Sequence, residues 1–147
     1  MAKTVTEEKE KKKRKKKRTD TVKKLKRREE HDMQCSVVSW VRQTGIYIFP
    51  ELLLFHASTG GQPRYGWAVQ WFKDEGLEGG FPDTHLPVPR GGYAGLWIEF
   101  KTKTGSPTDQ QLEKIALLRE QGNYVVIRDD PNEAIWTIID YLLCNID

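Results

Sequence analysis

Apolar positions along the chain change period several times, and each change predicts an element. From near Glu29, the residues Met33, Val37, Val38, Trp40 and Val41 recur at helical spacing, with Gly45 as the stop. Glu51 to His56 (ELLLFH) follows Pro50 as a short apolar run and predicts a buried strand. Ser58 to Gly66 is a loop by its glycines and proline, and Trp67 to Glu75 predicts a second helix ending at Gly76. Residues 83–90 (DTHLPVPR) read as an irregular strand at a sheet edge or bulge, because Pro87 and Pro89 cannot donate to a ladder.

Gly91, Gly92 and Gly95 mark the turn into LWIEFK, which alternates. Leu96, Ile98 and Phe100 face one way, while Trp97, Glu99, Lys101 and Lys103 face the other. Thr108 and Gln111 form a capping-box pair for a helix that ends before Gly122, with Leu112, Ile115, Ala116 and Leu118 on its apolar face. Tyr124 to Arg128 is a strand. Asp130-Pro131 opens a last helix, whose face includes Ala134, Ile135, Ile138, Ile139 and Leu142. The order is helix, strand, extra helix, strand, strand, helix, strand, helix. That order predicts a single α/β domain around a mixed sheet flanked by helices.

Composition changes this picture at one end. The chain has 147 residues and a formal net charge of +3. Residues 1–30 carry 15 Lys/Arg against 6 Asp/Glu, a net of +9, which leaves the remainder at 9 against 15, a net of −6. From Lys9 to Arg28 the only aliphatic residues are Val22 and Leu25, too few to offset backbone ordering, so residues 1–28 read as a basic tail that is disordered in isolation. Residues 29–147 form the domain. The densest block, Lys11, Lys12, Lys13, Arg14, Lys15, Lys16, Lys17 and Arg18, attracts polyanions such as nucleic acid through phosphate, without sequence specificity. Its plainer alternatives are a solubility tail or a nuclear-import signal. No apolar stretch approaches the roughly 18 residues of a membrane span, and no signal-peptide core follows the N-terminus. Cys35 and Cys144 have neither disulfide-framework nor zinc spacing. The expectation is a soluble intracellular chain.

The chemistry concentrates at Asp83 and Glu99-Phe100-Lys101. Glu99 and Lys101 are two apart on a strand and leave the same face, opposite the apolar set. Two carboxylates at neighbouring strand ends, with a backbone carbonyl, suit a hard divalent ion such as magnesium, which accepts oxygen ligands and keeps waters. Manganese can substitute. Lys101 beside such an ion can orient a water or stabilise developing charge, so the reaction class is metal-assisted phosphodiester hydrolysis. A solvated strand face would also carry Glu and Lys, so the triplet needs its context.

Residues 78–101, EGGFPDTHLPVPRGGYAGLWIEFK, resemble the PD-(D/E)XK nuclease superfamily and, more narrowly, its VRR-Nuc (virus-type replication-repair nuclease) family. The stretches GGFPD (79–83), GLWIEFK (95–101), GSPTDQQ (105–111), GNYVVIR (122–128) and EAIWTIIDYL (133–142) are similar to its successive motifs. The resemblance covers about Glu29 to Leu143 and none of the tail. It implies an αβββαβ core. It also implies metal ligation by Asp83, Glu99 and the Phe100 carbonyl, a water-directing Lys101, and Gln111 beside the site, where capping alone would also account for it. The family's first-helix glutamate matches Glu30, with Gln34 four residues on, or Glu29 if the register shifts by one. Relatives have an asparagine before paired glycines, where this chain reads Ser58-Thr59-Gly60-Gly61.

Of the histidines, His31 lies in the first helical turn, His56 at a strand end has the better claim to the cleft, and His85, two beyond Asp83, could face the site but reads first as an exposed strand residue. Trp40, Trp67, Trp71 and Trp136 occupy helical apolar positions suited to core or interface, whereas alternation puts Trp97 on the Glu99 face. The resemblance implies a magnesium-dependent, structure-selective DNA endonuclease for branched or flap DNA in replication, recombination or repair, acting as a homodimer and virus-encoded. Its location would be the host cytoplasm, or the nucleus for a eukaryotic chain. The alternatives are a catalytically idle DNA-binding module and a nuclease of the same chemistry acting on ends or unbranched duplex.

Overall fold

The computed structural model describes residues 2–58 and 66–146, with backbone alone at 2–7 and 66–69. Helix α1 runs from Ala2 to Trp40 and continues through a π-helical turn, Val41–Gly45, into the short α2, Ile46–Ile48. No glycine or proline interrupts residues 2–44, and Lys, Arg and Glu are good helix formers. A helix nucleated by its packed end therefore propagates outward through the basic segment. The boundary expected near Glu29 is where the helix approaches the domain rather than where it begins. Side chains 8–25 are all exposed, while Met33, Val37 and Val41 are buried.

The π turn brings Gly45 against the core. A Cβ there would lie 2.7 Å from Leu52 Cδ1 and 3.1 Å from the Trp40 ring, so glycine permits the approach. The strand expected over 51–56 is instead a 3₁₀ helix, Pro50–Leu54, followed by a two-residue strand β1, His56–Ala57. Pro50 presets the first helical φ. The apolar run also faces two ways, since Leu52 is buried while Leu53 and Leu54 are exposed. The loop read over 58–66 falls mostly outside the described residues. Helix α3 spans Gly66–Asp74 and Gly76 ends it at φ 96°, a conformation that glycine adopts without cost.

Among the described residues four strands form one sheet in the order β1-β2-β3-β4, with β2 at Thr84–Leu86, β3 at Leu96–Phe100 and β4 at Tyr124–Arg128. The first two pairings are antiparallel and β3–β4 is parallel, joined by crossover helix α4, Asp109–Glu120. Strand β2 is internal, not the edge that its prolines suggested. Pro87 and Pro89 lie beyond its last paired residue and cost no ladder bond.

One face of the sheet is sealed. Leu86, Leu96, Ile98, Phe100 and Val126 pack beneath α1 and the last helix α5, Pro131–Leu142, which Asp130 caps through the amides of Asn132 and Glu133. Tyr141 on α5 is fully buried and donates its hydroxyl to the Val88 carbonyl at 2.6 Å. The other face is covered unevenly. Helix α4 packs on β4 through Ile115, but Leu112, Ala116 and Leu117 are exposed and Leu118 is half-buried, a narrower apolar stripe than the sequence suggests. Toward β2 and β1 that face is more open, and the candidate chemistry lies there.

Candidate active site

Antiparallel pairing of Thr84 with Ile98 continues to set Asp83 opposite Glu99, at the ends of β2 and β3. Asp83 is held by the Phe100 backbone N–H, which donates to its Oδ2 at 2.8 Å. The segment before it is pinned by Ser58, whose hydroxyl donates to the Pro82 carbonyl and whose amide donates to the Asp83 carbonyl at 2.9 Å. Ser58 thus has a positioning role that its place in a glycine-rich stretch did not signal.

Glu99 is fully buried, an expensive place for a carboxylate. Its Oε1 accepts from Lys101 Nζ at 2.5 Å and from Gln111 Nε2 at 2.5 Å. Gln111 does two jobs from one side chain. Its Oε1 accepts the Thr108 N–H at 2.9 Å in a complete capping box, which leaves its amide nitrogen directed at Glu99. The second Glu99 oxygen, Oε2, is buried and has no partner among the described residues. Glu30 on α1 is half-buried, and its charge acts on Asp83, Glu99 and Lys101.

The electrostatics follow from this crowding. Burial first, and then the Asp83 charge, push the Glu99 carboxyl up to about 7 against the relief given by Lys101. Burial also raises Asp83, with Glu30 adding to it, while the Phe100 amide and Lys101 oppose. For Lys101, burial disfavours the ammonium, yet the bond to Glu99 and the fields of Glu99, Glu30 and Asp83 outweigh it and hold its pKa above the ordinary value. The cluster is short of positive charge.

These residues suit a divalent cation. An orphaned buried carboxylate oxygen, a second carboxylate opposite it and an all-oxygen donor set are what magnesium accepts. Among the described residues no three Asp, Glu, His or Cys side chains group as a metal cluster. A cation would therefore rest on the Asp83–Glu99 pair, with backbone carbonyl and water completing its shell. Thr102 Oγ1, just past Lys101, is likewise buried without a partner among the described residues.

Among known proteins, no family model and no curated protein matches the chain. The fold is similar to a solved structure described as a VRR_NUC domain protein, with a TM-score of 0.64 and 27% identity over 78% of this chain and 88% of that one. In fold and in sequence the chain is thus similar to a VRR-Nuc domain. It is a nuclease-family domain with a PD-(D/E)XK-type fold, and the αβββαβ core, from α1 through β4, is in place with α5 added.

Of the residues expected at the site, Asp83, Glu99, Lys101 and Gln111 converge, Phe100 contacts Asp83 through its amide, and Glu30 lies within electrostatic reach. Lys11 to Arg18 stand exposed on the outer part of α1. A more proximal lysine, Lys26, reaches the domain and donates to the Thr104 carbonyl at 2.9 Å. Trp40 packs against the core, but Trp71 and Trp136 are 60% and 62% exposed, which removes them from it. Trp67 has no described side chain. His85 is half-buried and stacked rather than exposed, and His31 lies 3.4 Å from the Cys35 sulfur on α1. No helix among the described residues is long and apolar enough to cross a membrane.

Proposed function

We propose that this nuclease-family domain is a magnesium-dependent, structure-selective DNA endonuclease that hydrolyses phosphodiester bonds in branched or flap DNA. The observation that carries the reading is Glu99: a fully buried carboxylate with one oxygen bound by Lys101 and Gln111 and the other left without a partner among the described residues. Binding alone has no use for so costly an arrangement, which argues against an idle module.

Asp83, Glu99 and the Phe100 carbonyl would hold the cation, with Glu30 adding negative charge from α1. When bound, magnesium supplies polarisation of the phosphate and acidification of a water. The protein supplies the rest. Gln111 fixes the Glu99 carboxylate, and the Phe100 amide fixes that of Asp83. Lys101, kept protonated by its acidic neighbours, orients the attacking water by hydrogen bonding and offsets charge on the phosphoryl oxygens. The basic run Lys11–Arg18 supplies salt-sensitive, sequence-independent grip on phosphates for a domain that is otherwise acidic. Manganese would serve in place of magnesium. A homodimer would present two such sites to one branched substrate.

The test is cleavage of a labelled four-way junction beside flap and linear duplex of matched sequence, in magnesium and in chelator. Cutting of branched forms in magnesium alone supports the reading. Equal cutting of linear duplex or of ends keeps the chemistry and removes the selectivity.

A further inference from the structure

The open part of the site face carries a row of rings. His85 on β2 and Trp97 on β3 are cross-strand partners stacked at 3.9 Å between centroids with planes 11° apart. Phe81 lies beyond Trp97 at 5.9 Å, and His56 on β1 meets His85 edge-on at 5.3 Å. Phe81, Asp83 and His85 are spaced by two along one segment, and Trp97 and Glu99 by two along β3. Period two places the rings and the carboxylates side by side on one face.

This row is not a core. On the sealed face Leu86, Leu96 and Ile98 are entirely inaccessible, whereas Phe81, His85 and Trp97 each keep an accessible part and His56 is exposed. A cation borders the row, with Lys114 Nζ 4.9 Å above Phe81 while it also pairs with Glu78. Flat and edged by a lysine, such a surface matches the π-face of a nucleobase whose backbone continues to a phosphate.

We propose that Phe81, Trp97, His85 and His56 form a stacking shelf for an unpaired nucleobase beside the scissile phosphate. The inference rests on the nuclease reading and deepens it. In duplex DNA both faces of an interior base are covered by its neighbours, so only a base released from pairing can lie on the shelf. Selection of branched or flap DNA would then come from local strand separation rather than from the shape of the junction as a whole.

The test uses the full chain with Lys101→Ala, so that DNA is held and not cut, and a flap oligonucleotide carrying 2-aminopurine at the unpaired position next to the cleavage site. Stacking quenches this fluorophore. The expected result is quenching on binding that is lost with Trp97→Leu, which keeps apolar bulk at the position. The same change should weaken flap binding roughly tenfold and leave blunt-duplex binding unchanged. His56→Ala, at an exposed position that tolerates truncation, should give a smaller loss in the same direction. It serves as the readout if Trp97→Leu does not fold. Flap binding without quenching, or quenching unmoved by both variants, would overturn the shelf while leaving the nuclease reading intact. No DNA binding at all by the parent protein would remove both.

Discussion

Glu99→Gln separates what the buried carboxylate costs the fold from what it does for function. In the folded protein the carboxyl titrates at about 7 against an ordinary value of 4.5, so the native state keeps a proton that the unfolded chain has already released. The unfolded state binds fewer protons across that window, and stability falls as pH rises from about 4.5 through about 7. At about 1.4 kcal/mol per pKa unit the full cost is about 3 kcal/mol by pH 8, of which about 1 kcal/mol has accrued by pH 5. A glutamine is permanently in the neutral state and still offers Gln111 an amide oxygen. The stability difference between variant and parent should therefore shift in the variant's favour by about 2 kcal/mol between pH 5 and pH 8. Any pH-independent packing effect of the swap cancels in that comparison. The assay is chemical denaturation of the full chain in chelator at both pH values. For a domain of this size the shift corresponds to roughly 5–10 °C in Tm. A difference that stays flat with pH, or one that moves against the variant at pH 8, would refute the claim that burial and Asp83 raise this carboxyl.

Other outcomes follow from the same geometry. Deleting residues 1–28 should weaken DNA binding and flatten its dependence on salt by about 0.9 in log–log slope for each phosphate the protein no longer neutralises, measured by fluorescence anisotropy; an unchanged slope would return the basic segment to solubility alone. Gln111→Glu keeps a capping-box side chain but sets a second carboxylate against Glu99, so cleavage should fall steeply while the thermal midpoint at acidic pH holds; a cutting rate equal to the parent's would reduce Gln111 to a cap. Tyr141→Phe removes the bond to the Val88 carbonyl in a buried setting and should cost about 1–2 kcal/mol in urea denaturation, with no effect on cleavage rate at 25 °C. A loss of cutting without loss of stability would mean that Tyr141 reaches the site.

Much of the site was legible because it lies on regular structure. Period-two alternation alone placed Leu96, Ile98 and Phe100 inward and Trp97 and Glu99 on the opposite face, and the Thr108/Gln111 spacing announced the cap that also aims Gln111. The misreadings share a cause: local patterns do not say what packs against them. ELLLFH has the composition of a buried strand, but only Leu52 is fully buried and Phe55 packs partly against the core, so Pro50 and the π turn before it decide for a 3₁₀ helix. Pro87 and Pro89 suggested an edge because the point where pairing stops is a tertiary fact. Helix α1 extends beyond its amphipathic part because nothing in residues 2–28 breaks a helix, and hydrophobic periodicity detects only the stretch that packs. The Ser58 bond to Pro82 and the ring stack across β1, β2 and β3 join residues distant in sequence, and no spacing rule registers them.

The central claim is that Asp83, Glu99 and Lys101 form a metal-dependent phosphodiester-cleaving centre. Single-turnover cleavage of one labelled flap substrate, by the parent chain and by Lys101→Ala in magnesium and in chelator, tests it most directly. The account predicts cutting by the parent in magnesium alone and a fall of at least about 100-fold in Lys101→Ala with DNA binding retained. Cutting that survives chelation, or that is as fast without Lys101, would contradict it.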